Sequence, residues 1–154
     1  MKLILSSALL IAIVAAGLAA GKADFSGTWA FSPAKSKNLG PMSGLQLTST
    51  VQQTGSIMTV KDESKFMGQD STRDTRYDLS GKPVSNQNFM GENAETVTRW
   101  LGDKLVTTWK TEGAVAGTTV IRTETRSLSS DGKTMTLESV RGSNPAVVMV
   151  FDRQ

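Results

Sequence analysis

Two hydrophobic patterns divide the chain. Residues 3–16 form an almost unbroken apolar run, whereas from residue 25 onward apolar positions come singly or in pairs and tend to alternate with polar ones. Period-two alternation marks a strand with one face against a core. Ten such segments can be traced, over residues 25–32, 45–53, 57–66, 71–79, 84–89, 94–101, 104–111, 118–128, 134–141 and 146–152; the fifth is short and weak. Turn residues punctuate them at intervals of roughly eight to twelve positions, the spacing of an all-β sandwich or barrel. No stretch sustains a 3.6-residue period, so little helix is expected.

If each strand reverses direction, the connections sort into two sets. Residues 54–56, 80–83, 102–103 and 129–133 fall at one end, all short and all containing Gly, as tight hairpins require. Residues 32–44, 67–70, 90–93, 112–117 and 142–145 fall at the other and are longer on average. One end should be stitched shut and the other open, provided the weak strand at 84–89 exists. A two-residue turn at Gly102-Asp103 pairs Trp100 with Leu105, Thr98 with Thr107 and Thr96 with Trp109. Directly opposed residues share a face, so Trp100, Leu105 and Trp109 should point inward together.

The apolar N-terminal run follows Lys2 and ends in small residues, with Gly21 and Ala23 at the two positions a signal peptidase reads. A signal peptide over residues 1–23 is expected, cut after Ala23 or, alternatively, after Ala19 or Ala20. The mature domain would then cover residues 24–154 and be exported to the periplasm or the medium. No basic stop-transfer cluster follows, which argues against a retained membrane anchor. Without Lys2 and Lys22, fifteen basic residues face fourteen acidic ones, so the basic character of the full chain owes much to the segment removed. No basic stripe with interleaved aromatics remains for nucleic acid. The absence of Cys and His excludes disulfides, Cys-His and Ser-His-Asp catalysis, and the commonest metal ligand. Neither an enzyme nor a metal or cofactor site is expected. Asp62, Glu63, Asp70, Asp74 and Asp78 lie among Lys65, Arg73 and Arg76 and read as a solvated face.

Gly27-Thr28-Trp29 on the first strand of an all-β chain resembles the Gly-x-Trp signature of lipocalin-like (calycin) barrels. The meander of ten runs, with hairpins at Gly102-Asp103 and Ser130-Asp131-Gly132-Lys133, is similar to the fatty-acid-binding side of that superfamily. Phe25-Ser26-Gly27-Thr28-Trp29 followed by Pro33-Ala34-Lys35-Ser36 also resembles an uncharacterised group of bacterial secreted members. The chain lacks the lipocalin Thr-Asp-Tyr motif, and residues 32–44 are too few for a two-helix lid. The resemblance implies an antiparallel up-and-down β-barrel of eight to ten strands. It also implies that Trp29 packs beneath a C-terminal arginine, Arg153 or Arg141, and that a small apolar or amphipathic ligand enters at the open end.

The candidate ligand contacts follow from these placements. Trp100 and Trp109 either line a cavity wall or fill the core. Phe66-Met67 and Phe89-Met90, each followed by Gly, lie near the open end with Leu39, Met42 and Val115, as an adaptable apolar rim or as ordinary loop anchors. Arg122, Glu124 and Arg126 alternate along one strand in phase with Val120 and Leu128. Facing inward, Arg126 would pair a ligand carboxylate. Facing outward, the three would form a solvated stripe with Ile121, Thr123 and Thr125 inside, which avoids burying unpaired charge. A filled interior would instead suit an envelope or extracellular protein-interaction domain with no small-molecule ligand.

Overall fold

The computed structural model describes residues 21–154. The hydrophobic run at residues 3–16, and with it the signal-peptide expectation, lies outside the described residues. Ten strands occur among them: β1 (Gly27–Phe31), β2 (Gln46–Gln53), β3 (Ile57–Phe66), β4 (Gln69–Asp78), β5 (Val84–Gln87), β6 (Asn93–Leu101), β7 (Lys104–Glu112), β8 (Thr119–Leu128), β9 (Thr134–Arg141) and β10 (Val147–Arg153). The weak fifth strand exists, with four residues. Among the described residues, helix is confined to two 3-10 turns, Pro33–Lys35 and Gly40–Gly44, both inside the connection from β1 to β2.

Every strand pairs antiparallel with its sequence neighbour except β4 with β5, and β1 pairs with β10, so the sheet runs β4-β3-β2-β1-β10-β9-β8-β7-β6-β5. The result is an up-and-down barrel that lacks only the ladder between β4 and β5. Closure between first and last strands distinguishes it from a sandwich, because it leaves no edge there. At the remaining gap the Asn86 side chain substitutes for a strand. Its Oδ1 accepts from Arg76 N–H at 3.0 Å, and its Nδ2 donates to Arg76 C=O at 2.8 Å.

The β6–β7 register is the expected one, with Trp100 opposite Leu105, Thr98 opposite Thr107 and Thr96 opposite Trp109. The two sets of connections also fall at opposite ends, with one correction. Residues 67–70 hold a tight two-residue turn, because Phe66 pairs with Gln69 and both Met67 (φ 50°) and Gly68 (φ 80°) take left-handed conformations.

The interior is unevenly filled. Phe25, Trp29, Val51, Met58, Leu79 and Leu105 are fully or almost fully buried; Trp29 is at the middle of the short β1, Phe25 on the segment entering it, and the others at or just beyond strand ends next to the tight Gly turns. Trp29 donates its indole N–H to Phe25 C=O at 2.8 Å, and the Arg153 guanidinium lies 4.2 Å from its ring centroid. Of the two candidate arginines, Arg153 is the one above Trp29. Burial of about six large apolar side chains at one end, each contributing about 1.5–3 kcal/mol, anchors that end as a floor. Strands of this length extend well beyond the floor, and their far halves surround a hollow.

Candidate functional site

The hollow has a volume of about 320 Å³. It lies between the floor and the end formed by the longer connections, from which Met42, Phe89, Asn144 and Pro145 contribute to its lining. Its apolar wall comes chiefly from β2, β9 and β10, through Leu45, Leu47, Met135, Leu137, Met149 and Phe151. Strand alternation produces this wall: in β9, Met135, Leu137, Ser139 and Arg141 are two apart and face the interior in sequence.

Polar groups converge from β3, β4, β7 and β8. Asp62 accepts from the Ser49 hydroxyl at 2.5 Å and from the Arg73 guanidinium at 2.7 Å. Glu124 accepts from the Trp109 indole at 2.8 Å and pairs with Arg122 at 3.1 Å. The Arg122 guanidinium also lies over the Trp109 ring, 4.9 Å from its centroid. Tyr77 meets Trp109 edge-on at 6.2 Å, and Arg126 lies 5.7 Å from the Tyr77 centroid. Burial pushes the Tyr77 phenol well above its usual range despite the opposing effect of Arg126, so it stays neutral. Arg126 is only 7% exposed, and its Nη1 has no hydrogen-bond partner among the described residues. A buried cation without a carboxylate is costly. Chemically, the site is an apolar chamber with one unneutralised guanidinium at its inner end.

Of the two facings open for β8, the inward one holds. Arg122, Glu124 and Arg126 face in, and Ile121 is exposed. Burial of Glu124 and Arg122 is offset because Glu124 pairs with Arg122 and accepts from Trp109. Asp62 and Arg73, read as part of a solvated face, are also interior and paired. Their signal was available in strand phase, since Asp62 follows Met58 and Val60 at steps of two, and Arg73 precedes Thr75 and Tyr77 in the same way.

The other expected contacts divide. Trp109 and Arg126 line the cavity, and Phe89 stands at its mouth. Phe66 lines a side groove with Asp70 and Phe89, next to the β4–β5 gap. Trp100 does not reach the chamber: it stacks on Phe25 at 6.2 Å and belongs to the floor. Met67 is 86% exposed and lines neither cavity nor groove, because its left-handed turn aims it at solvent. Met90 is 78% exposed and borders a second groove between the β5–β6 and β7–β8 connections. No group of three or more His, Cys, Asp or Glu side chains among the described residues is arranged to hold a metal.

No family model matches the sequence, and no curated protein matches it. Solved structures do. Human cRBP IV superposes with a TM-score of 0.65 at 20% identity, covering 86% of this chain and 99% of its own. A Schistosoma mansoni fatty acid binding protein in complex with arachidonic acid gives 0.65 at 21% identity, over 84% and 96%. Echinococcus granulosus fatty-acid-binding protein 1 gives 0.64 at 14%, again over 84% and 96%. At these identities the likeness is one of fold: this chain is an all-β antiparallel, nearly closed ten-stranded barrel with the fold of these fatty-acid-binding proteins.

Proposed function

We propose that this protein is an exported, non-enzymatic carrier of a small amphipathic acid, with the apolar portion in the chamber and the carboxylate on Arg126. The observation that carries the reading is the Arg126 guanidinium, buried at the inner end of an apolar cavity without a counter-ion among the described residues. A guanidinium recognises a carboxylate through two parallel N–H donors. The volume is at the lower end of the range for small-molecule pockets, which suits one modest ligand. The similar folds that hold fatty acids support the same reading. A hollow interior favours a carrier over a protein-interaction module.

Export rests on the apolar run at 3–16, and the floor bears on where the segment is cut. Ala23 packs against the core and its C=O accepts from Gln53 Nε2 at 2.9 Å, while the Lys22 ammonium lies 5.5 Å from the Trp100 centroid. Retaining these contacts favours a cut after Ala20 over one after Ala23. The mature protein is then periplasmic or secreted.

A fluorescent fatty-acid analogue should bind the purified domain and quench tryptophan emission. Arg126→Met should weaken that binding at least tenfold while raising the stability of the empty protein by about 1 kcal/mol, because it removes an uncompensated buried charge. Trp109→Ala should also weaken binding. Absence of binding by any apolar probe up to concentrations on the order of tens of micromolar would overturn the reading.

A further inference from the structure

The cavity carries more positive charge than one carboxylate neutralises. Six charged side chains line it: Asp62, Glu124, Arg73, Arg122, Arg126 and Arg141. Asp62 is engaged by Arg73 and Ser49, and Glu124 by Arg122 and Trp109. Arg126 and Arg141 take part in no ion pair with any described residue. These two arginines stand at opposite ends of the chamber. Arg126 is opposite Leu105 and Leu137, next to the floor. Arg141 is the last residue of β9, at the mouth, directly opposite Arg122.

The mouth arrangement is unfavourable as it stands. Like charges directly opposed across an antiparallel ladder destabilise it. Glu124 Oε1 pairs with Arg122 and its Oε2 accepts from Trp109, and no ion pair joins Glu124 to Arg141. Glu92 and Glu112 border the adjoining groove but pair with neither guanidinium. Arg122 is held by Glu124 and the Trp109 face, and its Nε is buried with no partner among the described residues. A fixed guanidinium with a free donor beside a second, unpaired one forms a clamp for an anion. From Arg122 to Arg126 is four residues, roughly 13 Å along the strand at the usual rise. Val147 lines the chamber at the step between them, and Leu137 and Met149 line it level with Arg126.

We infer that Arg122 and Arg141 form a second anion subsite and that the ligand is acidic at both ends, a long-chain α,ω-dicarboxylate. One carboxylate sits on Arg126, the other between Arg122 and Arg141, and the apolar spacer fills the middle. The inference rests on the carrier reading above and narrows its ligand class. A monocarboxylate would satisfy Arg126 and leave the mouth pair facing each other.

The test is displacement of the fluorescent analogue from the full mature domain by matched series of fatty acids and α,ω-diacids, together with dodecyl phosphate, at low salt. Diacid affinity should peak at a length whose ends span roughly 13 Å. There it should exceed the matched monoacid by about fivefold to tenfold, the size of one charge-assisted contact at a partly exposed site. In Arg141→Ala that ratio should fall to one or below, because the second carboxylate would then enter without a counter-charge. Arg141 is exposed, so the variant folds. Monoacids that match or exceed diacids at every length, or a ratio unchanged in Arg141→Ala, would overturn the inference and leave the carrier reading standing. Dodecyl phosphate binding better than every diacid would place both charges in one head group and also overturn it. If neither series binds, both readings fall.

Discussion

Replacement of Trp29 tests whether the floor is structural. The indole is fully buried, and two groups depend on it. Phe25 C=O accepts its N–H, and Arg153 lies over its ring. Arg153 in turn donates to Gly132 C=O at 2.8 Å and Ser26 C=O at 2.6 Å. The ring therefore ties the segment entering β1 to the β9 hairpin and the last strand. Gly27 completes the arrangement. Its φ is +134°, a conformation that L side chains rarely adopt, and a Cβ there would come within 2.6 Å of Arg153 Nη1 and push the guanidinium off Trp29.

Trp29→Ala should cost about 3–5 kcal/mol from lost burial and the cavity left behind. The orphaned Phe25 carbonyl adds about 1 kcal/mol, and the lost cation–π contact about 1 kcal/mol. That sum is comparable to the whole stability of many domains, so the informative variant is Trp29→Phe. Phe keeps a ring beneath Arg153 but loses the N–H and part of the packing, about 2 kcal/mol in all. For a chain of this size the melting temperature should fall by roughly 6–8 °C. Urea unfolding followed by circular dichroism should show a lower midpoint with an unchanged slope. Fatty-acid-analogue affinity should stay within about twofold. A Trp29→Phe protein of wild-type stability that had lost its ligand would refute the reasoning and put Trp29 in the binding wall.

Two further outcomes test the gap and the closed end. Asn86→Ala removes the side chain that clasps Arg76, so it should cost about 1–2 kcal/mol and selectively raise hydrogen exchange at the Arg76 amide; equal exchange in both proteins would show that the clasp does not hold the gap. Asp131 accepts from the Ser129 hydroxyl and the Lys133 amide, and these bonds, the Ser129 contribution largest, hold its carboxyl below the ordinary value of 3.8. A carboxyl depressed on folding stabilises fully above its unfolded value and loses that contribution as pH falls through the folded one. Asp131→Asn should therefore flatten the decline in melting temperature between about pH 5 and about pH 2, and parallel curves would exclude the hairpin as a source of acid sensitivity.

The meander, the register across Gly102-Asp103 and the assignment of connections to two ends were legible because each is encoded locally. A two-residue Gly-Asp turn fixes eight cross-strand pairs, and period-two alternation then fixes facing. What was not legible is position along the barrel axis and pairing across distant strands. Trp100 and Trp109 share a face, and nothing in their strands alone says that one is in the floor and the other in the chamber. That difference follows from Phe25, which folds under the barrel to meet Trp100. The facing of β8 stayed open in the sequence for a related reason. Burying Arg122, Glu124 and Arg126 looks prohibitive on one strand, and it becomes acceptable only when Trp109 on β7 supplies an indole donor to Glu124. Leu128 and Val120, in phase with the charges, were the better guide.

Of the four arginines lining the chamber, Arg73 and Arg122 have carboxylates that cancel most of their burial cost, so these pairs are explicable as structure alone. Arg126 is not. An apolar residue there would pack against Tyr77 and Leu137 with no desolvation penalty, and many sequences would satisfy the barrel better. A residue that lowers the stability of the empty protein is accounted for if the loaded protein is the state that matters. An acid bound only to the folded form stabilises it by RT ln(1 + [L]/Kd), about 2.7 kcal/mol at a hundredfold excess over Kd. That is comparable to the penalty for leaving one guanidinium partly unsatisfied in the interior, about 1–3 kcal/mol. The floor and the chamber thus divide the work along the same ten strands. Trp29, Phe25 and Leu105 pack the floor from side chains alone, and Arg126 is the residue of the far half that the proposed anion would complete.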